Sequence, residues 1–318
     1  MSEEHGWQLT ESDPGVFTEL LKTLGVPLIV DDLYSLDAES LAALQPLHAL
    51  IFLFKWTGGT ATAMTGEYDR DFPGFFAHQV VNNACATLAV LNALGNIPSL
   101  TTGPQLAELT SFTTGMDPTM RGMAITSADW LREAHNSLSP PSSISLDGLG
   151  LPKTSEDAYH FVVYLPFMGS LYELDGLKEL PVRHGPYQES GEGWAKKARE
   201  TIEARIATYP ANALEFSLLA LRDDPLPSLQ TQLSALQAAN KHSEAAEIVV
   251  KISNENSKRE NWAFENSLRK HNHVGLVHAL AVALAKAGKL EGAKESAKKA
   301  MKDRIEARKA AGVDMSDD

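Results

Sequence analysis

Residues 75–94 read Phe75-Phe76-Ala77-His78-Gln79-Val80-Val81-Asn82-Asn83-Ala84-Cys85-Ala86-Thr87-Leu88-Ala89-Val90-Leu91-Asn92-Ala93-Leu94, and they hold the only cysteine of the 318-residue chain. Two asparagines end an apolar, strand-like approach, and a helical run follows that stops at Gly95-Asn96. Asparagine is a preferred N-cap, and glycine is the usual residue just past a helix end. The pattern predicts that Cys85 falls in the first turn of a helix. Unpaired backbone N–H groups and the helix dipole there favour a thiolate, the nucleophilic form of cysteine. A lone cysteine is more often a small buried hydrophobe, and Cys85 alone would not displace that reading. Three further features do.

Gln79 precedes Cys85 by six residues. A side-chain amide just upstream of a helix-start thiolate can donate to a developing oxyanion, with the Cys85 backbone N–H as second donor. His160 and Asp175 form the second feature. Residues 159–165, Tyr-His-Phe-Val-Val-Tyr-Leu, have strand composition, and residues 170–174 predict a second strand. Taking Pro166-Phe167-Met168-Gly169 as a four-residue turn sets His160 directly opposite Asp175. Opposed residues of an antiparallel pair share a face, with Cβ atoms about 4.5–5.5 Å apart. A carboxylate there can accept from one imidazole nitrogen and leave the other for the thiol. The bland counterpart is a cross-strand ion pair or a satisfied core histidine. The third feature is chain order: Gln, Cys, His, Asp, the order of papain-like cysteine hydrolases.

At this point the chain resembles the ubiquitin C-terminal hydrolases, a family of cysteine deubiquitinases. The resemblance rests on Gly6-Trp7-Gln8-Leu9-Thr10-Glu11-Ser12-Asp13-Pro14-Gly15-Val16-Phe17, on Ile51-Phe52-Leu53-Phe54-Lys55-Trp56, and on the stretch around Cys85. Ala158-Tyr159-His160-Phe161-Val162 and Leu171-Tyr172-Glu173-Leu174-Asp175-Gly176-Leu177 complete it. Together these cover about two-thirds of the chain. Further on, Lys258-Arg259-Glu260-Asn261 and Arg269-Lys270-His271-Asn272-His273 resemble the C-terminal extension of the longer, proteasome-associated members. The resemblance implies Cys85 as nucleophile, His160 as base, Asp175 as its orienter and Gln79 as oxyanion stabiliser. It implies ubiquitin conjugates as substrates and a proteasomal ubiquitin receptor as the partner of the extension. Two alternatives stay open: a hydrolase for a ubiquitin-like modifier, and a scaffold whose catalytic domain is idle.

The expected fold is α+β: a papain-like hydrolase with an antiparallel-rich central sheet flanked by helices, then an all-helical C-terminal domain. Strands are predicted at residues 28–31, 49–55, 159–165, 170–174, 178–183 and 214–221. Helices are predicted after Asp13-Pro14 and over residues 106–116, 127–138 and 194–208. Residues 57–71 are polar and glycine-bearing and predict a loop. Pro225 and Pro227 mark the boundary between a catalytic domain, 1–225, and a helical extension, 226–318. Apolar stripes at helical spacing, such as Leu229, Leu233 and Leu236, then Ala245, Ile248, Val249 and Ile252, then Leu276, Leu280 and Leu284, are ordinary packing faces. Residues 137–157 hold Pro140-Pro141-Ser142-Ser143 and form a long connection just before His160. The resemblance makes it the crossover loop through which a substrate tail threads.

The formal charge of −13 argues against a general nucleic-acid binder. From Lys286 to Lys309 nine Lys/Arg face four Asp/Glu, so the rest of the chain is more acidic still. An acidic body suits a basic partner surface, which the resemblance places around the ubiquitin tail; it also simply keeps a protein soluble. One cysteine excludes an internal disulfide, as expected of a reducing compartment. Ser2-Glu3-Glu4-His5 has no signal pattern, and no apolar stretch approaches about 20 residues. The expected location is cytoplasmic and nuclear, with no membrane association. Scattered histidines show no zinc spacing, so no metal or cofactor is expected.

Overall fold

A computed structural model of the chain describes residues 6–55, 66–139, 159–209, 216–271 and 274–310. Seven antiparallel strands form one sheet: β1 (Leu28–Asp32), β2 (Leu47–Lys55), β3 (Glu67–Tyr68), β4 (Tyr159–Phe167), β5 (Ser170–Leu174), β6 (Val182–Pro186) and β7 (Phe216–Asp223). Their order is β1-β7-β2-β4-β5-β6-β3. The central strands are buried on both faces, which is why they read as near-continuous apolar runs. Phe161, Val163 and Leu165 of β4 join one core; Val162 and Tyr164 join the other.

The first core is closed by α1 (Pro14–Thr23) and α3 (Cys85–Leu94), with Leu131 and Ala134 of α6 (Asp129–Asn136). All ten residues of α3 are buried, so it has no polar face and is a central helix. The second core is closed by α2 (Ala38–Ala43) and α7 (Trp194–Ile206), through Leu41, Ala195, Ala198 and Ile202. Between α3 and α6 lie α4 (Pro104–Phe112) and α5 (Pro118–Thr126).

Several elements depart from the sequence expectation. Helix α5 was hidden by its Gly122 and weak periodicity, although Asp117 caps it by accepting from the Thr119 and Met120 N–H groups, 2.9 and 3.0 Å. The same Asp-Pro start opens α1, where Asp13 accepts from Val16. Helix α2, capped by Asp37, is too short to carry a periodic signal. β6 begins at Val182 rather than 178, because residues 175–178 fold into a turn closed by Lys178 N–H donating to Asp175 O, 2.9 Å. Within the expected loop at 57–71, residues 67–68 pair with β6. The connection at 140–158 lies outside the described residues.

The C-terminal region is helical: α8 (Pro225–Ala238), α9 (His242–Lys270), α10 (Val274–Lys286) and α11 (Leu290–Ala310). Helix α8 starts at the expected boundary, yet the compact unit does not end there. It runs through α9 to Lys270, and α10 and α11 belong to a second unit. Helix α9 is held to the sheet and α1 by side chains that a linear reading cannot pair. Lys258 Nζ lies 2.7 Å from Asp31 and Arg269 2.8 Å from Asp13, while Asn266 donates to Gly15 O at 2.9 Å. Gly15 is needed there: a Cβ would stand 2.8 Å from the Trp262 side chain. In the second unit α10 contacts α11, and Leu276, Val277 and Leu280 are exposed. Among the described residues no helix is long and apolar enough to cross a membrane.

Candidate active site

Cys85 is the first residue of α3 and is buried. The cap, however, is not an asparagine. Ala84 occupies the N-cap position and makes no side-chain cap bond. Asn83 instead adopts a left-handed backbone, φ 65°, and donates through Nδ2 to Trp7 O at 3.1 Å. Asparagine tolerates that conformation better than most side chains. The outcome favours chemistry at Cys85, since no side chain competes for the first-turn N–H groups.

The approach to α3 belongs to no strand. Side chains of the helix hold it instead. Asn92 accepts from Ala77 N–H at 2.8 Å and donates to Ala77 O at 3.2 Å; Asn96 does the same for Phe75, at 2.8 Å each way. Arg121 of α5 donates to Phe76 O, and His78 N–H donates to Pro118 O at 2.9 Å. Gln79 follows, its N–H donating to Gly176 O at 2.8 Å. The Gln79 amide oxygen is buried and has no hydrogen-bond partner among the described residues.

His160 lies on β4 opposite Phe54 of β2, whose ring meets the imidazole edge to face at 5.8 Å. The β4–β5 turn is Met168-Gly169, both at positive φ, 45° and 76°, the two-residue hairpin form. Phe167 therefore pairs with Ser170 and Val163 with Leu174. The expected register is off by two residues, and His160 is not directly opposite Asp175. A slip of two preserves which face each side chain takes, so the residues still meet. Asp175, one residue past β5, lies 2.6 Å from His160 Nε2. Its other contact is Leu177 N–H, which donates to the same oxygen at 2.9 Å.

His160 and Asp175 are 3% and 2% exposed, so their electrostatics are little screened. Burial alone drives an imidazole toward neutrality. The Asp175 carboxylate, hydrogen-bonded to His160, and the nearby Cys85 sulfur reverse this and push its pKa up to about 9. Among the described residues no group of His, Cys, Asp and Glu is arranged to hold a metal.

Sequence reasoning missed two supports of this constellation. His135 of α6 is buried between α3 and the N-terminal segment. Its Nδ1 is 2.8 Å from Thr87 Oγ1, and its Nε2 donates to Gln8 O at 2.7 Å. Burial pushes its pKa down. Glu173 is the second, a carboxylate in an apolar strand, and its charge there was a readable signal. Lys178 Nζ, Arg205 Nη1 and His184 Nε2 surround it at 2.6, 3.0 and 3.1 Å. Burial opposes its charge, but the His184 hydrogen bond first, and then Arg205 and Lys178, hold its carboxyl well below the usual range.

An antiparallel sheet between helices, with a cysteine starting a helix and a His–Asp pair carried by a strand and the turn after its neighbour, defines a papain-like cysteine hydrolase. A family model, "Ubiquitin carboxyl-terminal hydrolase, family 1", matches residues 7–207, and a second, "Ubiquitin carboxyl-terminal hydrolases", matches residues 245–290. The chain belongs to the ubiquitin carboxyl-terminal hydrolase family. It is similar to ubiquitin carboxyl-terminal hydrolase ubh-4 of Caenorhabditis elegans, 38% identical over 96% of this chain and 95% of that protein. Ubiquitin carboxyl-terminal hydrolase 2 of Schizosaccharomyces pombe is 37% identical over 88% and 91% of the two chains. The crystal structure of Trichinella spiralis UCH37 bound to ubiquitin vinyl methyl ester is similar with a TM-score of 0.65 and 33% identity, covering 80% of this chain and 99% of that one.

Proposed function

We propose that the protein is a cysteine deubiquitinase that hydrolyses the bond at the C-terminal glycine of ubiquitin, with Cys85, His160, Asp175 and Gln79 as its machinery. The observation that carries this is the 2.6 Å His160–Asp175 bond beside the Cys85 sulfur, in a chain matched by the family over residues 7–207. His160 takes the Cys85 proton, and the sulfur attacks the glycine carbonyl carbon. The negative charge moves to the carbonyl oxygen, where the Cys85 N–H and Gln79 receive it. One such donor is worth about 2.7–4 kcal/mol. The unpartnered end of the buried Gln79 amide supports this role: turned end for end, the amide presents its NH2 there. His160 then protonates the leaving amine. Water, deprotonated by His160, hydrolyses the thioester and frees the ubiquitin carboxylate. Asp175 keeps the imidazole in the productive tautomer.

Ubiquitin is the modifier favoured over a related one, because the relatives and the solved structure with a ubiquitin electrophile all carry that name. A panel of C-terminal fluorogenic modifiers tests it. Cleavage of the ubiquitin adduct alone is expected, and preference for another modifier would overturn the assignment. The region 226–318 joins the enzyme to the proteasome through a helical receptor domain; support comes from the resemblance of residues 258–273 to the longer family members and from the apolar side chains that α10 exposes. A chain ending at Lys270 keeps the whole first unit. It is expected to cleave small ubiquitin adducts yet lose co-purification with proteasomes, whereas full co-purification would place docking elsewhere. Activity in both cytoplasm and nucleus belongs to the same reading and is checked by fractionation with immunodetection.

A further inference from the structure

The turn after β5 serves two parts of the site at once. Asp175 holds the imidazole at 2.6 Å, and the next residue, Gly176, accepts the Gln79 N–H at 2.8 Å. The two backbone segments touch there. A Cβ on Gly176 would stand 3.1 Å from Gln79 N and 3.3 Å from its Cβ, so the turn has no slack against the Gln79 backbone. Lys178 closes the turn twice: its N–H donates to Asp175 O at 2.9 Å, and its Nζ reaches back 2.6 Å to Glu173.

Glu173 is a fixed post for that reach. It is 3% exposed and is held independently by Arg205 of α7 at 3.0 Å and His184 of β6 at 3.1 Å. Arg205 in turn donates to the Tyr164 hydroxyl at 2.9 Å and lies 4.2 Å over the Phe54 ring, the ring that meets His160. Removing the lysine therefore leaves Glu173 paired, while the turn loses its ionic tie.

We propose that Lys178, acting through Glu173, is a positioning residue that sets the Asp175–Gly176 turn, and with it both the imidazole orienter and the Gln79 backbone. This rests on the assignment of Cys85, His160, Asp175 and Gln79 given above. Lys178 touches no reacting atom. It keeps the carboxylate and the amide in one rigid piece, and displacement of either by about 1 Å is enough to slow chemistry on the order of 10²-fold.

The test uses the full chain with Lys178→Met and Lys178→Arg, assayed on a ubiquitin C-terminal fluorogenic adduct across the alkaline range. Among the described residues, charged and titratable groups facing His160 include Asp175 and Cys85, and those facing Glu173 include Lys178, His184 and Arg205, the last bonded to Tyr164. With the tie gone Asp175 supports the imidazolium less. Lys178→Met is expected to lower kcat by about 10-fold or more with KM changed less than about twofold. The alkaline limb of kcat/KM should move to lower pH, and Lys178→Arg should restore both. Lys178→Gln, read in the same way, replaces Lys178→Met if that variant does not fold. Unchanged kcat and an unmoved limb overturn the proposal. So does a loss of kcat without movement of the limb and without rescue by arginine, which is what general destabilisation produces. Cys85→Ser separates this from the site assignment: retained turnover there overturns the site itself, whereas its loss beside an unaffected Lys178→Met overturns the positioning role alone.

Discussion

His160 and His135 are both buried, and both face the first turn of α3: His160 stands near Cys85, and His135 bonds to Thr87. Their electrostatics are opposite. Among the described residues His135 bonds to two hydroxyls and a backbone carbonyl and packs edge to face against Trp7, and burial pushes its pKa down. His160 meets a carboxylate and a sulfur, and its pKa is pushed up to about 9 despite the same burial. A buried imidazole thus takes its charge state from its partner. One helix start is flanked by an imidazole held toward neutrality and by one held charged, made from the same residue type.

The largest effect that can break this comparison is loss of the thiol or of the His160 imidazole. Cys85→Ser and His160→Ala are each expected to lower kcat on the order of 10⁴–10⁶-fold, while His135→Gln retains most of it. Steady-state rates on a ubiquitin adduct decide the matter, and similar losses at both histidines would make the distinction false.

Next comes Asp175→Asn. It keeps the shape and removes the charge, so His160 falls under the rule that governs His135. Turnover should drop on the order of 10²–10⁴-fold, less than for His160→Ala, because the orienter moves no proton. The residual alkaline limb should move below about 9, and a limb that stays in place would show that Asp175 does not set the imidazole charge.

The pH dependence of stability sharpens the contrast further. Folding holds His160 charged above its ordinary 6.5, so its contribution is complete below 6.5 and is lost as pH rises through about 9. Fully developed, it is worth about 3 kcal/mol. Folding holds His135 neutral, so its contribution is present above 6.5 and is lost as pH falls below it. Denaturant melts of wild type against His160→Gln should converge above about pH 9, and against His135→Gln they should converge on acidification. Parallel curves for the two variants would remove the basis of the comparison.

The smallest effect is expected where charges meet in water. Lys241 and Glu244 pair at 2.9 Å with both side chains more than half exposed, so Lys241→Met should change stability by less than about 0.5 kcal/mol and leave activity alone. A larger shift in the denaturation midpoint would mean that the start of α9 is tied more firmly than its exposure implies.

Much of the catalytic region was legible because its signals are local. The helix from Cys85 to Leu94 announces itself by composition and by Gly95, and β4 by its run of aromatic and β-branched residues. The details that failed are those in which two local rules compete. Asn82-Asn83 reads as a cap, but Asn83 spends its side chain on Trp7 O, 76 positions away. Pro166 reads as the start of a turn, but it is paired with Leu171 inside the ladder, and Met168-Gly169 makes the turn. Pro225 opens α8 as expected, while the packing of α9 depends on Gly15, Asp13 and Asp31 near the other end of the chain, which no local signal shows.

The sequence by itself determined the family, the place of the single cysteine at a helix start, the order of the four candidate site residues along the chain and the alternation of strands and helices. Each of these is written in spacing or in a short motif, and needs no knowledge of where distant segments lie. Only the tertiary structure decided the pairing of His160 with Asp175 across a register two residues from the expected one, the seating of Gln79 on Gly176, the imidazole held toward neutrality at His135 and the Lys178–Glu173 tie. These depend on exact separations between segments that the chain brings together by burying two cores on one sheet. Hydrogen bonds acquire their value only at distances of about 3 Å, and no periodicity in one dimension specifies those.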